Sequence, residues 1–153
     1  MNEAFKIKRL GQEDAATFQQ LIHFFINVFE MEKQPVTAAA YLVQLLKTPS
    51  FFVYVITNGS EIVAGLTAYE LSSYYNEGAE IYIYDIAVKS GFQRKGLGKQ
   101  LITTLQEHCI KNNVQLIFVE AHADDENAVE FYHSIGGKAE QVVHFNYYID
   151  IPK

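Results

Sequence analysis

The stretch KSGFQRKGLGKQL, Lys89 to Leu101, decides how the chain is read. It follows the apolar run EIYIYDIAV (80–88) and precedes apolar residues at 97, 101, 102, 105 and 109, the spacing of one helix face. Gly91, Gly96 and Gly98 fall inside it, together with Lys89, Arg94, Lys95 and Lys99. A strand, a glycine-rich turn and a helix aim backbone N–H groups at an anion, and the helix dipole favours negative charge there. Residue type then selects the anion. A nucleotide phosphate loop needs G-x-x-x-x-G-K-[ST]. Gly91 and Gly96 have that separation, but Leu97 and Gly98 replace the Lys and the hydroxyl. The dinucleotide pattern G-x-G-x-x-G fails at Leu101. What fits is Q/R-x-x-G-x-G/A, filled by Gln93, Arg94, Lys95, Gly96, Leu97 and Gly98. The glycines let the backbone approach an anion closely, and the cations add diffuse charge. The bland alternative is a cationic loop that merely opens a helix.

Outward from this loop, the chain of 153 residues suits one domain, 1–153, with enough length to bury a core. It is 49% hydrophobic and carries a formal net charge of −6, which argues against a nucleic-acid partner and is compatible with a cationic substrate. No secretory signal opens the sequence and no apolar run reaches membrane-span length, so a cytoplasmic protein without a membrane partner is expected. Cys109 is the single cysteine, and the five histidines are scattered, so no disulfide and no metal site is expected.

Residues 5–9 suggest a short strand. Phe18, Leu21, Ile22, Phe25 and Phe29 step by three and four, so 14–30 reads as an amphipathic helix. A second helical pattern (Tyr41, Leu42, Leu45, Leu46) stops before Pro49. Two β-rich runs flank Asn58-Gly59, a tight-turn signal that implies an antiparallel hairpin. Residues 80–88 form a long strand, a helix runs to about 112, and VQLIFVEA (114–121) is a buried strand. DDENAVEFYHSIGG supplies carboxylates for a helix start and glycines for its stop. VVHFNYYI (142–149) reads as a closing strand. The order implies a mixed α/β sheet.

At the motif Gln93–Gly98 the chain resembles the GNAT superfamily of acetyl-CoA-dependent N-acetyltransferases. The resemblance implies a mixed, mostly antiparallel α/β (α+β) sheet flanked by helices, with this loop after the fourth strand. It also implies that the loop, Lys99 included, holds the coenzyme A pyrophosphate mainly through backbone amides. Ile86, Ala87 and Val88 would line the donor, with Ile86 and Val88 pairing to its pantetheine arm. The family's last helix carries N-x-x-A-x-x-L-Y, matched here by Asp125, Ala128, Phe131 and Tyr132, with Asp for Asn and Phe for Leu. Gly136-Gly137 stands where Gly-Phe is usual. A narrower likeness, to small bacterial aminoglycoside 3-N-acetyltransferases, rests on EIYIYDIAV, the acidic stretch before AVEFY, and His144-Phe145. It implies acetyl transfer to an aminoglycoside amine in a ternary complex, and it admits a homodimer with an edge from the aromatic tail.

Acetyl transfer needs a neutral amine, whereas a lysine-like amine titrates near about 10, so a base must take a proton. Strand alternation places Asp85 with Ile81, Ile83 and Ala87, where a carboxylate is anomalous and must be paired or functional. The resemblance makes Asp85 the base and Tyr132 the acid for the leaving thiolate, with an oxyanion-binding N–H near Val88. Glu120, Asp124 and Asp85, with Glu80, Asp125, Tyr84 and His122, are the expected contacts of a cationic sugar, and Tyr74-Tyr75 part of its rim. His23, His108 and His133 sit in helical patterns. Acetylation of another amine (a polyamine, a peptide N-terminus or a lysine) and a non-catalytic CoA-binding sensor are the competing readings.

Overall fold

A computed structural model describes residues 4–153, as one unit running to Glu120 and a second from Ala121 to Lys153. The first unit contains β1 (Phe5–Arg9), α1 (Ala15–Val28), α2 (Ala39–Lys47), β2 (Phe51–Asn58), β3 (Glu61–Ser72), β4 (Ala79–Val88), α3 (Leu97–Lys111) and β5 (Val114–Val119). Its sheet has the order β1-β2-β3-β4-β5. The first three pairings are antiparallel; β4 and β5 run parallel, as a crossover through α3 requires. The expected mixed, mostly antiparallel sheet is therefore present.

The β2–β3 hairpin turns where Asn58 pairs with Glu61, and Gly59 takes φ +62° there, a conformation glycine adopts at no steric cost. Alternation along β2 sends Phe51, Val53 and Val55 to one face of the sheet. They bury against Phe18, Leu21 and Phe25 of α1 and Leu42 of α2. Each fully buried Leu or Phe stabilises the layer by about 1.5–3 kcal/mol. Gly65 shares that face, and a Cβ there would lie 2.3 Å from Leu21 Cδ1, so α1 rests on bare β3 backbone. The opposite face receives α3. Leu97, Leu101, Leu105 and Cys109 are buried on that helix, and the His108 ring meets Phe52 at 4.7 Å.

In the second unit, α4 (Glu126–Ser134) starts at Asp125, whose Oδ1 accepts the Ala128 N–H at 3.1 Å. It stops at Gly136 (φ +93°), after which the Gly137 N–H donates to the Tyr132 carbonyl at 2.9 Å. A Cβ at 137 would sit 2.8 Å from that same oxygen, so the Gly-Gly pair suits this close reversal.

The closing strand expected at 142–149 is not formed. Residues 138–153 join no strand ladder, and Val142, Val143, Phe145, Tyr147, Tyr148 and Ile149 are all exposed. The alternating pattern is genuine, but a strand exists only where a partner supplies its ladder, and periodicity does not report whether one is there.

Candidate active site

Strand β4 is not continuous in register. Ala68 stands opposite Ile83 and Thr67 opposite Asp85, which leaves Tyr84 as an extra residue, a β-bulge. The bulge corrects the expected facing of Asp85. Ile81 and Ile83 point to the α3 side, whereas Asp85 shares the other face with Ala87, Thr67 and, two residues further along β3, Tyr69. A simple count of two per repeat carries the wrong parity across the insertion.

Asp85 is half-buried and has no hydrogen bond or ion pair among the described residues. Burial alone pushes its carboxyl above the usual range, since desolvation disfavours the charged form. Around it stand aromatic rings, of which the sequence reading singled out only Tyr84. Tyr69 meets Phe51 at 4.9 Å and Tyr84 at 5.8 Å, and Tyr82 stacks on Phe118 at 4.8 Å with an interplanar angle of 2°. Burial, then the neighbouring Tyr84, Tyr41 and Asp85, push the Tyr69 phenol up. Burial, Glu120, Tyr84 and Asp85 do the same for Tyr82. The parallel register explains the row: Glu80 pairs with Leu116 and Tyr82 with Phe118, so continued alternation puts Glu120 on the face of Tyr82 and Asp85. The missed signal was this cross-strand parity, which appears only once β4 and β5 are aligned.

Pairing of β4 with β5 ends at Ile83–Val119, while β4 runs on to Val88 beside β3 alone. The two strands fork, and from Tyr84 onward one edge of β4 pairs with no strand among the described residues. Backbone direction on that edge follows from one bond: the Lys89 N–H donates to Val63 O at 2.8 Å, so alternation turns Ala87 toward β3 and turns Ile86 and Val88 outward. Gln93 Nε2 donates to the outward Val88 carbonyl at 3.2 Å. Ile86 and Val88 thus present the backbone groups that an extended ligand can pair with. Ala87 departs from that expectation, with its side chain in the core and its backbone in the ladder.

The edge leads into the glycine loop. Arg94 has φ +62° and Gly96 φ +80°, and Gly96 caps α3. The first bond within that helix runs from the Gln100 N–H to Gly96 O, so the amides of Leu97, Gly98 and Lys99 precede the helical ladder. Nothing lies within 4 Å of a Cβ built on Gly91 or Gly96, and the loop faces open space there. This cradle suits a diphosphate, with amides inside and the Arg94, Lys95 and Lys99 charges around it. A groove of about 410 Å³ lies elsewhere in the unit, lined by α1 residues with Ile62 and Lys89, and holds none of the expected site residues.

The second unit carries the remaining expected residues. Burial, with Asp125 adding to it, pushes the Tyr132 phenol up to about 12, so the ring keeps its proton at neutral pH. Asp125 and Ala128, expected at the donor, bond to each other as helix cap and first-turn amide. His122 and Asp124 are exposed in the turn before α4, where their carbonyls accept the N–H groups of Asp125 (2.9 Å) and Glu126 (3.1 Å). His108 is part of the core margin, between Phe52 and Glu70. Tyr74 and Tyr75 are exposed and lie 4.5 Å apart, ring to ring.

The model of the Acetyltransferase (GNAT) family matches residues 15–136. An aminoglycoside acetyltransferase, meta-AAC0020, from an uncultured soil metagenomic sample, solved in complex with sisomicin, is 39% identical. It superimposes with a TM-score of 0.91 over 95% of this chain and 97% of that one. A second, HMB0005, also from an uncultured soil metagenomic sample, is 32% identical, with a TM-score of 0.89 over 96% of this chain and 99% of that one. The [Ribosomal protein bS18]-alanine N-acetyltransferase of Escherichia coli (strain K12) is 33% identical over 69 residues, 45% of this chain and 46% of that protein. This chain therefore matches less than half the length of that curated relative.

Proposed function

The chain belongs to the Acetyltransferase (GNAT) family, and from that premise we propose that it transfers the acetyl group of acetyl-CoA to an aminoglycoside amine, at the 3-N position. The observation that carries this reading is the fork of β4 and β5. A backbone edge at Ile86 and Val88 that pairs with no strand among the described residues leads to a glycine-capped helix start, and a half-buried carboxylate, Asp85, with no hydrogen bond or ion pair among those residues, stands at the other end of that edge. The likeness to an aminoglycoside acetyltransferase solved with sisomicin supports the substrate class.

In this scheme the loop 93–99 holds the donor's diphosphate, and Ile86 and Val88 pair with its pantetheine arm. Asp85 takes a proton from the acceptor ammonium, directly or through one water, and the freed nitrogen lone pair attacks the thioester carbonyl. The outward Val88 N–H is directed at the developing oxyanion. As the carbon–sulfur bond breaks, the nitrogen sheds its second proton to solvent, the Tyr132 hydroxyl gives its proton to the thiolate, solvent returns one to the phenol, and Asp85 releases the proton it took. Glu120, Asp124 and Asp85, with Tyr84 and His122, bind the remaining ammonium groups of the sugar. No step calls for a metal ion. A cytoplasmic setting, where acetyl-CoA is at hand, suits this reading.

A peptide N-terminal amine is the second reading, favoured by the 69-residue match to the ribosomal-protein acetyltransferase. The test is product analysis: the chain is incubated with acetyl-CoA and sisomicin, and the product is located by two-dimensional NMR. A single acetamide at position 3 supports the proposal. Acetylation at another position removes the regiochemical part, and acetylation only of peptide amines removes the substrate class.

A further inference from the structure

One row of rings crosses three strands on a single face of the first unit's sheet. Tyr69 of β3 pairs with Tyr82 of β4, and Tyr82 pairs with Phe118 of β5. Tyr82 and Phe118 stack face to face at 4.8 Å, and Phe51 packs on Tyr69 at 4.9 Å. The bulge adds Tyr84, which stands steeply to both of its neighbours, 5.8 Å from Tyr69 at 79° and 6.1 Å from Tyr82 at 67°. Rings in this mutual orientation form a corner, with more than one π face turned to the same small volume. The first unit itself leaves Tyr69 and Tyr84 exposed, by 37% and 62%, so packing within that unit does not account for them.

The corner is bordered by acid. Asp85 follows Tyr84 directly and shares the face of Tyr69, and alternation along β5 puts Glu120 on that face too. Burial first, then acidic and phenolic neighbours, push up the Tyr69 and Tyr82 phenols, and no lysine or arginine among the described residues offsets them. A π face and a carboxylate attract the same partner, a cation, but they ask different things of it. A carboxylate gains most from N–H donors. A ring face attracts the charge itself and holds an N-methylated or quaternary ammonium as well as a primary one.

We infer that Tyr69, Tyr82 and Tyr84 form an aromatic corner that binds one ammonium group of the acceptor through its charge, beside the amine that meets Asp85. The inference rests on the acceptor reading proposed above and narrows it. The substrate class is an amine with at least two ammonium groups, and the one seated in the corner is free to carry N-methyl substituents. Tyr69 and Tyr82 thereby become specificity-determining residues. Carboxylates alone do not give this tolerance, because each methyl removes an N–H that they would accept.

The full chain is titrated calorimetrically with hexamethonium, a bis-quaternary cation, and with hexanediamine, its primary-amine parent. Hexamethonium is expected to bind within about threefold of the diamine. Tyr69→Leu should weaken hexamethonium about 5- to 30-fold, and Tyr69→Phe, which keeps the ring, should restore it to within about twofold. Should Tyr69→Leu not fold, Tyr84→Leu and Tyr84→Phe make the same comparison at an exposed position. Hexamethonium binding more than about threefold weaker than the diamine, or a Leu variant that binds it like wild type, or a Phe variant as impaired as the Leu variant, overturns the inference. The titration involves no acetyl transfer. The expected pattern without turnover of any aminoglycoside would therefore remove the substrate reading alone, and turnover without the pattern would remove the aromatic corner alone.

Discussion

Thr67 of β3 stands opposite Asp85 of β4, although the neighbouring pair, Ala68 with Ile83, would align it with Tyr84. That one-residue insertion turns a carboxylate that would have faced α3 toward Tyr69 and the α1 layer. It also coincides with the end of β4–β5 pairing at Ile83. The exposed backbone edge and the carboxylate beside it therefore both begin at one local irregularity, a recurrent place for bulges near sites.

Asp85→Asn is expected to lower kcat by roughly 10²–10⁴-fold while leaving acetyl-CoA affinity unchanged, the range for loss of a positioned base. Because burial raises its pKa, the acid limb of the wild-type rate profile should lie above the ordinary Asp value of about 3.9. Stability runs the other way. A carboxyl whose folded pKa is raised contributes stability below its unfolded pKa and loses it as pH rises through the folded one. At pH 7 the charged form therefore costs stability, and Asp85→Asn should melt higher than wild type there. Steady-state rates and thermal melts on the same preparations check both parts.

Tyr132→Phe is expected to lower kcat about 10²-fold with acetyl-CoA affinity retained. With its pKa pushed up to about 12, the phenol stays protonated, so it should contribute no decline in wild-type kcat up to about pH 10. A pH series read by thiol release tests this, with the Phe variant alongside.

In the glycine loop, Gly96→Glu should abolish acetyl-CoA binding. It forces a side chain into φ +80°, costing about 1–2 kcal/mol, and places a carboxylate against a diphosphate. Gly98→Val should do the same by bulk alone, since Gly98 is buried in the first turn of α3. Arg94→Ala should weaken binding only about two- to fivefold, consistent with an exposed charge worth about 0.5–1 kcal/mol. Calorimetric titration with acetyl-CoA separates amide-dominated from charge-dominated binding.

Gly65→Ala should destabilise the fold by about 1–3 kcal/mol, because its methyl would meet Leu21 2.3 Å away and overpack the α1 layer. Urea unfolding gives the value directly.

The helices and the first four strands were legible because burial is written in their spacing: Leu21 and Phe25 on α1, or Leu101 and Leu105 on α3; β5 was placed rightly, but the burial expected of it is met only at Val114. The turn into α3 was legible because Gly96 caps that helix at φ +80°, a conformation that favours glycine. The facing of Asp85 was not, because a bulge changes parity and only the partner strand reveals it. The row of Tyr69, Tyr82 and Phe118 was hidden for the same reason, since its members come from three strands. The tail from Val142 reads as a strand on its own terms, yet pairing is a property of two segments, and a single sequence names only one of them.

The most direct measurement is thiol release from acetyl-CoA over one panel of amines: sisomicin and gentamicin-type aminoglycosides, polyamines, a lysine peptide and peptides with free N-terminal alanine. Turnover is expected with the aminoglycosides, at a kcat/KM at least about tenfold above every other amine, a margin of about 1.4 kcal/mol in transition-state stabilisation. Tight acetyl-CoA binding with no turnover of any aminoglycoside would contradict it.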